Sequence, residues 1–349
     1  MTDLRVQTGP VTSGKSDGVR TRLWRDGRLE VEDFPIEEIS EHLEEDGALV
    51  WLDLCEPDHK LVLKLADELT LDPHAVEDAI AAGERPKATR HATHTFVTVY
   101  ATSSEAVTSG LGVLQSRLRF TRVSAFVLPR GIVTVRSDSR FDMDQVVERW
   151  DDNADLLKLG SSALLHGLLD VIVDGHFETI QHMDDVIESL EDGLFDDHAV
   201  TREIQQRTYR VRKELVELRR VILPMREVVN AVQRHHADDT ANDGELDGWY
   251  ADLYDHVLRA SEWTESLRDM VTTIFETNLS LQDARLNTVM KKLTGWAAII
   301  AVPTAVTGWF GQNIAYPGFG QRSGLIASTV VIAGLATALY LTFRRRNWL

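Results

Sequence analysis

The side chains able to guide a ligand or an ion gather near the C-terminal end of this 349-residue chain. Asn287, Met290, Thr294, Ala297, Ala301, Thr304, Gly308 and Gly311 recur at alternating spacings of three and four. That register puts them on one face of a helix. Spacing alone leaves two readings open. One is close helix packing through small residues; the other is a pore lined by several copies of the helix. Asn287 and the threonines favour the pore, because packing has no need of an amide or hydroxyls. Hydroxyl, amide and carbonyl groups can touch the water shell of an ion without stripping it. Mg²⁺ dehydrates reluctantly, so such a lining suits a hydrated hard cation. No acid, lysine or histidine lies within 293–311 or 324–343. A proton relay or a carboxylate cage is therefore not expected there.

Other chemistry is excluded on context. Gly9–Ser16 reads GPVTSGKS, which fits the G-x-x-x-x-G-K-[ST] phosphate-loop pattern. The pattern requires a buried strand before it and a helix after it. Here TDLRVQT precedes, too polar for a central strand, and DGVRTRLWRDG follows as a turn and then a strand. No nucleotide site and no catalytic residues are assigned, and enzymatic activity is not expected. Cys55 is the only cysteine, so neither an intrachain disulfide nor a cysteine zinc cluster can form. His235 and His236 read as solvated residues of a polar loop.

The elements that must position the stripe are two uncharged runs, LTGWAAIIAVPTAVTGWFG (293–311) and GLIASTVVIAGLATALYLTF (324–343). Each approaches the roughly 20 residues a helix needs to cross hydrocarbon. Lys291 and Lys292 precede the first run, Arg344, Arg345 and Arg346 follow the second, and the connecting loop holds only Arg322. Positive flanks face the cytoplasm. The expectation is a multi-pass protein of an inner or plasma membrane with both termini cytoplasmic, and the N-terminus has no signal-peptide pattern. The net charge is −18, and the stretch from Leu293 carries +4, which leaves −22 on the first 292 residues. With no broad basic face, nucleic acid is excluded as a partner. The lipid bilayer is an expected one.

The rest of the chain reads as an α/β N-terminal domain followed by long helices. ALVWLDL (48–54), HTFVTVYA (94–101), LQSRLRF (114–120) and SAFVLPRGIVTVRS (124–137) read as strands. Residues 57–69 and 73–82 read as helices, with Asp58 and Asp72 near their starts. Residues 163–191 form one amphipathic helix. Residues 201–235 form another, with Thr201 as N-cap and a kink at Pro224. Residues 235–248 read as a loop. A helix from about 246 to 311 would be roughly 100 Å long, and a helix of that length needs partners. The expected division is 1–20 flexible tail, 21–160 α/β cytoplasmic domain, 161–245 antiparallel helices, 246–311 long stalk and pore helix with its span at about 293–311, 312–323 external loop, 324–343 second span and 344–349 basic cytoplasmic tail.

Gly311-Gln312-Asn313 at the end of the first span resembles the Gly-Met-Asn signature of CorA-type magnesium transporters. WLDLCEP (51–57), PHAVEDA (73–79), RPK (85–87), LRRVILPMREVV (218–229), DLYDHV (252–257), NTVMKKLT (287–294) and RRRNWL (344–349) look like the family's recurring segments, in order over most of the chain. The resemblance implies a funnel-shaped homopentamer that conducts divalent cations, foremost Mg²⁺, down the membrane potential. Gly311, Gln312 and Asn313 would form the entrance. Asn287 would line the cytoplasmic end, and Met290, Leu293 and Ala301 the apolar constriction. Asp78 and Asp252 would form an intersubunit divalent-sensing site; on residue type alone each reads as a solvated helix acid. Gln312 in place of methionine, an acid-free outer loop and a small Ala301 depart from the family pattern. A zinc-transporting branch varies the same signature position, so Zn²⁺, Co²⁺ or Ni²⁺ transport, with or without proton coupling, is an alternative. A non-conducting membrane-anchored oligomeric sensor is another.

Overall fold

The computed structural model describes residues 18–108, 114–194, 201–237, 244–312 and 315–348. By internal contacts the chain divides into two units, Met1–Val271 and Thr272–Leu349. The phosphate-loop match at Gly9–Ser16 lies outside the described residues.

The first unit is built on a seven-stranded sheet. In chain order its strands are β1 (Val19–Arg25), β2 (Arg28–Glu32), β3 (Ala48–Cys55), β4 (Lys87–Arg90), β5 (Thr95–Thr108), β6 (Leu114–Leu128) and β7 (Gly131–Arg136). Their order across the sheet is β2-β1-β3-β7-β6-β5-β4. Only β3 and β7 pair in parallel; the others are antiparallel, so the sheet is mixed as expected. One face of the sheet is covered by α1 (Ile39–Glu44), α2 (His59–Glu68) and α3 (Pro73–Ile80). The other is covered by α4 (Met143–Asp152), α5 (Ala154–Leu157), α6 (Ser161–Leu194), α8 (Met225–Ala237), which follows α7 (Thr201–Ile222), and the start of α9 (Asp247–Phe310). The two-residue period of β3 explains how one strand serves both layers. Leu49 and Trp51 join the core with Trp150 and α6, whereas Val50, Leu52 and Leu54 join the core with α2 and α3.

Asp58 and Asp72 are N-caps: Asp58 accepts from the Lys60 amide, and Asp72 from the amides of His74 and Ala75. Pro224 falls between α7 and α8 and ends the helix rather than kinking it. Thr201 opens α7, but its side chain lies outside the described residues. Two further expectations need correction. Residues 124–137 are not one strand: β6 runs on to Leu128, and a turn at Pro129-Arg130 starts β7. His235 and His236 are not in a loop but in the last turn of α8, where His236 lies 5.7 Å from the Tyr250 ring.

The second unit holds the later part of α9 and α10 (Arg322–Arg345). Both have windows apolar enough to cross a membrane, and only 6% of each window is buried. A core helix of a soluble protein would be covered, so these helices are made for lipid or for other copies of the chain.

Candidate ion pathway and regulatory acids

On the later part of α9 every member of the polar and small stripe is exposed: Asn287, Met290, Thr294, Ala297, Ala301, Thr304, Gly308 and Gly311. The covered side lies roughly 170° around the helix, at 100° per residue. It comprises Gly295, Ala298, Ile299, Val302, Pro303, Val306 and Phe310. On α10 the matching covered line is Gly324, Ser328, Ile332, Ala336, Leu339 and Phe343. The stripe therefore points away from the side that this chain covers itself. The Thr304 hydroxyl is not stranded in hydrocarbon. Thr304 Oγ1 donates to the Ile300 carbonyl at 3.4 Å, and neighbouring Thr307 to Pro303 at 2.8 Å. With the proton so used, each hydroxyl oxygen remains an acceptor. The outer surface of a hydrated cation is made of water hydrogens, and acceptors are what it requires.

At the end of the span the Gly311 amide donates to Thr307 at 2.8 Å and that of Gln312 to Trp309 at 3.3 Å. A Cβ on Gly311 would stand 2.9 Å from the Thr307 carbonyl, so the close turn excludes a side chain there. Asn313 lies outside the described residues. Beyond it the Tyr316 hydroxyl donates to the Phe310 carbonyl at 3.2 Å, with the rings edge to face at 5.2 Å. Gly318, at φ +93°, lets the loop close on α10: a Cβ on Gly324 would meet the Gly318 carbonyl at 2.4 Å.

A second stripe escaped the reading of the sequence. Phe275, Leu279, Leu286, Val289, Leu293, Trp296 and Ile300 are all large, apolar and between 45% and 65% exposed. With Gln282 they keep strict spacings of four and three, the register of a coiled-coil seam. The heptad test that found the polar stripe would have found this one a residue away. Leu293 belongs to it and sits about 100° from Thr294 on the helix.

The two candidate regulatory acids differ in their surroundings. Asp252, on α9 within the first unit, is 70% exposed, with His256 Nε2 3.7 Å away. Asp78, in the last turn of α3, accepts from Lys87 Nζ at 2.6 Å, and the same ammonium donates to Glu84 at 3.1 Å. Burial works against the Lys87 charge, but the hydrogen bonds and charges of the two acids outweigh it and raise its pKa. Among the described residues no three His, Cys, Asp or Glu side chains converge in one chain as a metal site.

Residues 46–345 match the family model described as CorA-like Mg²⁺ transporter protein. The chain belongs to that family. It is 27% identical over 291 residues to the cobalt/magnesium transport protein CorA of Thermotoga maritima, covering 83% of this chain and 80% of that protein. It is 23% identical over 279 residues to the zinc transport protein ZntB of an Enterobacter species, covering 79% and 81%. The complete CorA magnesium transporter of Methanocaldococcus jannaschii shares the fold, with a TM-score of 0.71 at 19% identity over 96% of this chain and 99% of that one. Membership of a family of membrane transporters accounts for both apolar helices and makes this a divalent-cation transporter.

Proposed function

We propose that the chain forms a homopentameric channel for hydrated divalent cations, foremost Mg²⁺, driven by the membrane potential and restrained by cytoplasmic divalent ions. The carrying observation is the unbroken exposed stripe from Asn287 to Gly311, turned away from the chain's own covered side. Gly311, Gln312 and Asn313 would receive the ion. Thr294, Ala297, Thr304 and Gly308 would line its path, with Met290 and Ala301 at the narrow apolar part; Leu293, expected there from the resemblance, is turned to the apolar seam instead. A divalent ion gains about 4.6 kcal/mol per 100 mV, so no ATP is needed. Both termini would face the cytoplasm, since Lys291, Lys292 and Arg344–Arg346 flank the spans on one side. Asp78 and Asp252 would bind a divalent ion between subunits and favour the closed state. Loss of that ion would leave strongly acidic subunits to repel one another.

Gln312 at the signature position and the likeness to ZntB favour a second reading, zinc transport, coupled or not to protons. Liposomes holding purified protein, an inside-negative potential and dyes for Mg²⁺, Zn²⁺ or pH decide between them. Mg²⁺ entry abolished by Asn313→Ala and by Thr304→Leu with Gly308→Leu, with assembly intact, is the expected result. Zn²⁺ entry alone transfers the protein to the second reading. Absence of any flux with internal divalent ions removed defeats both and favours a non-conducting sensor.

A further inference from the structure

We propose that Lys87 is a tethered cation that competes with divalent ions for Asp78 and thereby sets the ion concentration at which the regulatory site fills. The inference rests on the reading of Asp78 and Asp252 as a sensing pair.

Asp78 needs a counter-cation whatever its function. It lies near the C-terminus of α3, where the helix dipole disfavours negative charge. Arg122 meets part of that need by donating to the carbonyls of Ala79 at 2.8 Å and Ile80 at 3.3 Å. The carboxylate itself is met by Lys87, whose Nζ lies 2.6 Å from Asp78 Oδ2 and 3.1 Å from Glu84 Oε2. That is where a cation bridging the two acids would stand.

The lysine is held there by the fold. It is the first residue of β4 and pairs with Thr98 on β5. The loop bearing Glu84 is fastened by the Tyr100 hydroxyl, which donates to the Glu84 carbonyl at 2.6 Å. Asp78, Glu84 and Lys87 are each about one-third exposed or less, at 27%, 30% and 33%, so ions from solution can reach the group.

One ammonium against two carboxylates leaves the group with a charge of −1. It still attracts cations, but a divalent ion that takes Asp78 must first part it from Lys87 and then tolerate the ammonium nearby. Among the described residues Asp252 has no such rival: it is 70% exposed, and its neighbour is His256 at 3.7 Å. The two halves of the sensing pair are thus unequal, one open and one already served by an internal cation.

The test follows divalent binding rather than transport. Full-length protein in detergent is titrated with Mg²⁺, and the midpoint of protection against limited proteolysis is recorded. Lys87→Met should lower that midpoint about three- to fivefold, the upper range for an ion pair one-third exposed. Lys87→Gln, which keeps a donor without the charge, should do the same and serves if the Met variant misfolds. Lys87→Arg should stay within about twofold of the parent. Asp78→Asn should cancel the gain in the Lys87→Met background. An unchanged midpoint in both neutral variants, while Asp78→Asn and Asp252→Asn weaken protection, overturns the competition and leaves the sensing pair standing. No effect of either Asp variant overturns the sensing pair and the inference with it.

Discussion

Replacing Asp53 by Asn should destabilise the first unit by about 3–5 kcal/mol, the usual result of removing one partner from a buried ion pair. Asp53 is fully buried on β3, and the Arg136 side chain on β7 is 8% exposed. Arg136 Nη2 and Nε both reach Asp53 Oδ2, at 2.6 and 3.0 Å. Thr134 Oγ1 donates to Oδ1 at 2.7 Å and accepts from the Trp51 indole at 3.1 Å. An Asn amide would set N–H groups against the guanidinium and leave its charge without a counter-ion in the core. At roughly 2–4 °C per kcal/mol for a unit of this size, the melting temperature should fall by about 10 °C. Intrinsic tryptophan fluorescence of full-length protein in detergent reads the loss directly, since Trp51 belongs to the network and packs 5.1 Å from Trp150. The joint change Asp53→Leu with Arg136→Met removes both charges and should cost less than about 1.5 kcal/mol. A single Asn variant melting within about 2 °C of the parent, or a double variant costing as much as the two singles together, would refute the argument.

Two further outcomes follow. His176 is wholly buried, its Nε2 is 2.8 Å from the Tyr100 carbonyl, and burial lowers its pKa from 6.5 to about 4. The folded form therefore binds fewer protons than the unfolded chain between these values, and stability falls as pH drops through that window. Between pH 7.5 and 5 the parent should lose about 2 kcal/mol that a His176→Gln variant keeps, as read from denaturant midpoints; equal losses would dismiss the assignment. On the apolar seam, Leu286→Glu with Val289→Glu should abolish the oligomer in light scattering while the first unit melts unchanged, because both side chains are exposed in the single chain.

How far these features could be read from sequence depends on whether they are local. N-caps at Asp58 and Asp72 and the span of α9 each depend on a few neighbouring residues and a period, and each agrees with the structure; at Pro224 a kink was expected and the helix ends instead. The turn at Pro129-Arg130 was missed because apolar, β-branched residues continue on both sides of it and mask the interruption. The Asp53–Arg136 pair was beyond reach: it needs the parallel register that sets Asp53 opposite Thr134, 81 residues on. In the sequence Lys87 is only the last residue of the RPK segment. Its partnership with Asp78 depends on how the loop after α3 returns to the edge strand, and no periodicity reports that.

The two stripes on α9 also carry an energetic argument for why copies of the chain associate and which face they share. Lipid can cover Leu293, Trp296 and Ile300 without help from another protein, so their exposure drives little. Phe275, Leu279, Leu286 and Val289 precede Lys291 and face water, each about half exposed. Covering the exposed parts is worth about 3–6 kcal/mol per chain, at 1.5–3 kcal/mol for a whole side chain. Repeated over every copy in a ring, that gain can exceed the cost of association, which no single seam could meet with much to spare. Nothing comparable favours covering Asn287 or Thr294, whose polar groups gain by staying near water. With the apolar seam against a neighbour and the covered side against the chain's own covered line on α10, the polar stripe is the face left over. In a closed ring of such helices a leftover face common to all copies points to the axis. In the proposed channel the polar face is then set by the seam beside it, and a mutation that breaks the seam should abolish ion flux without touching one residue of the proposed lining.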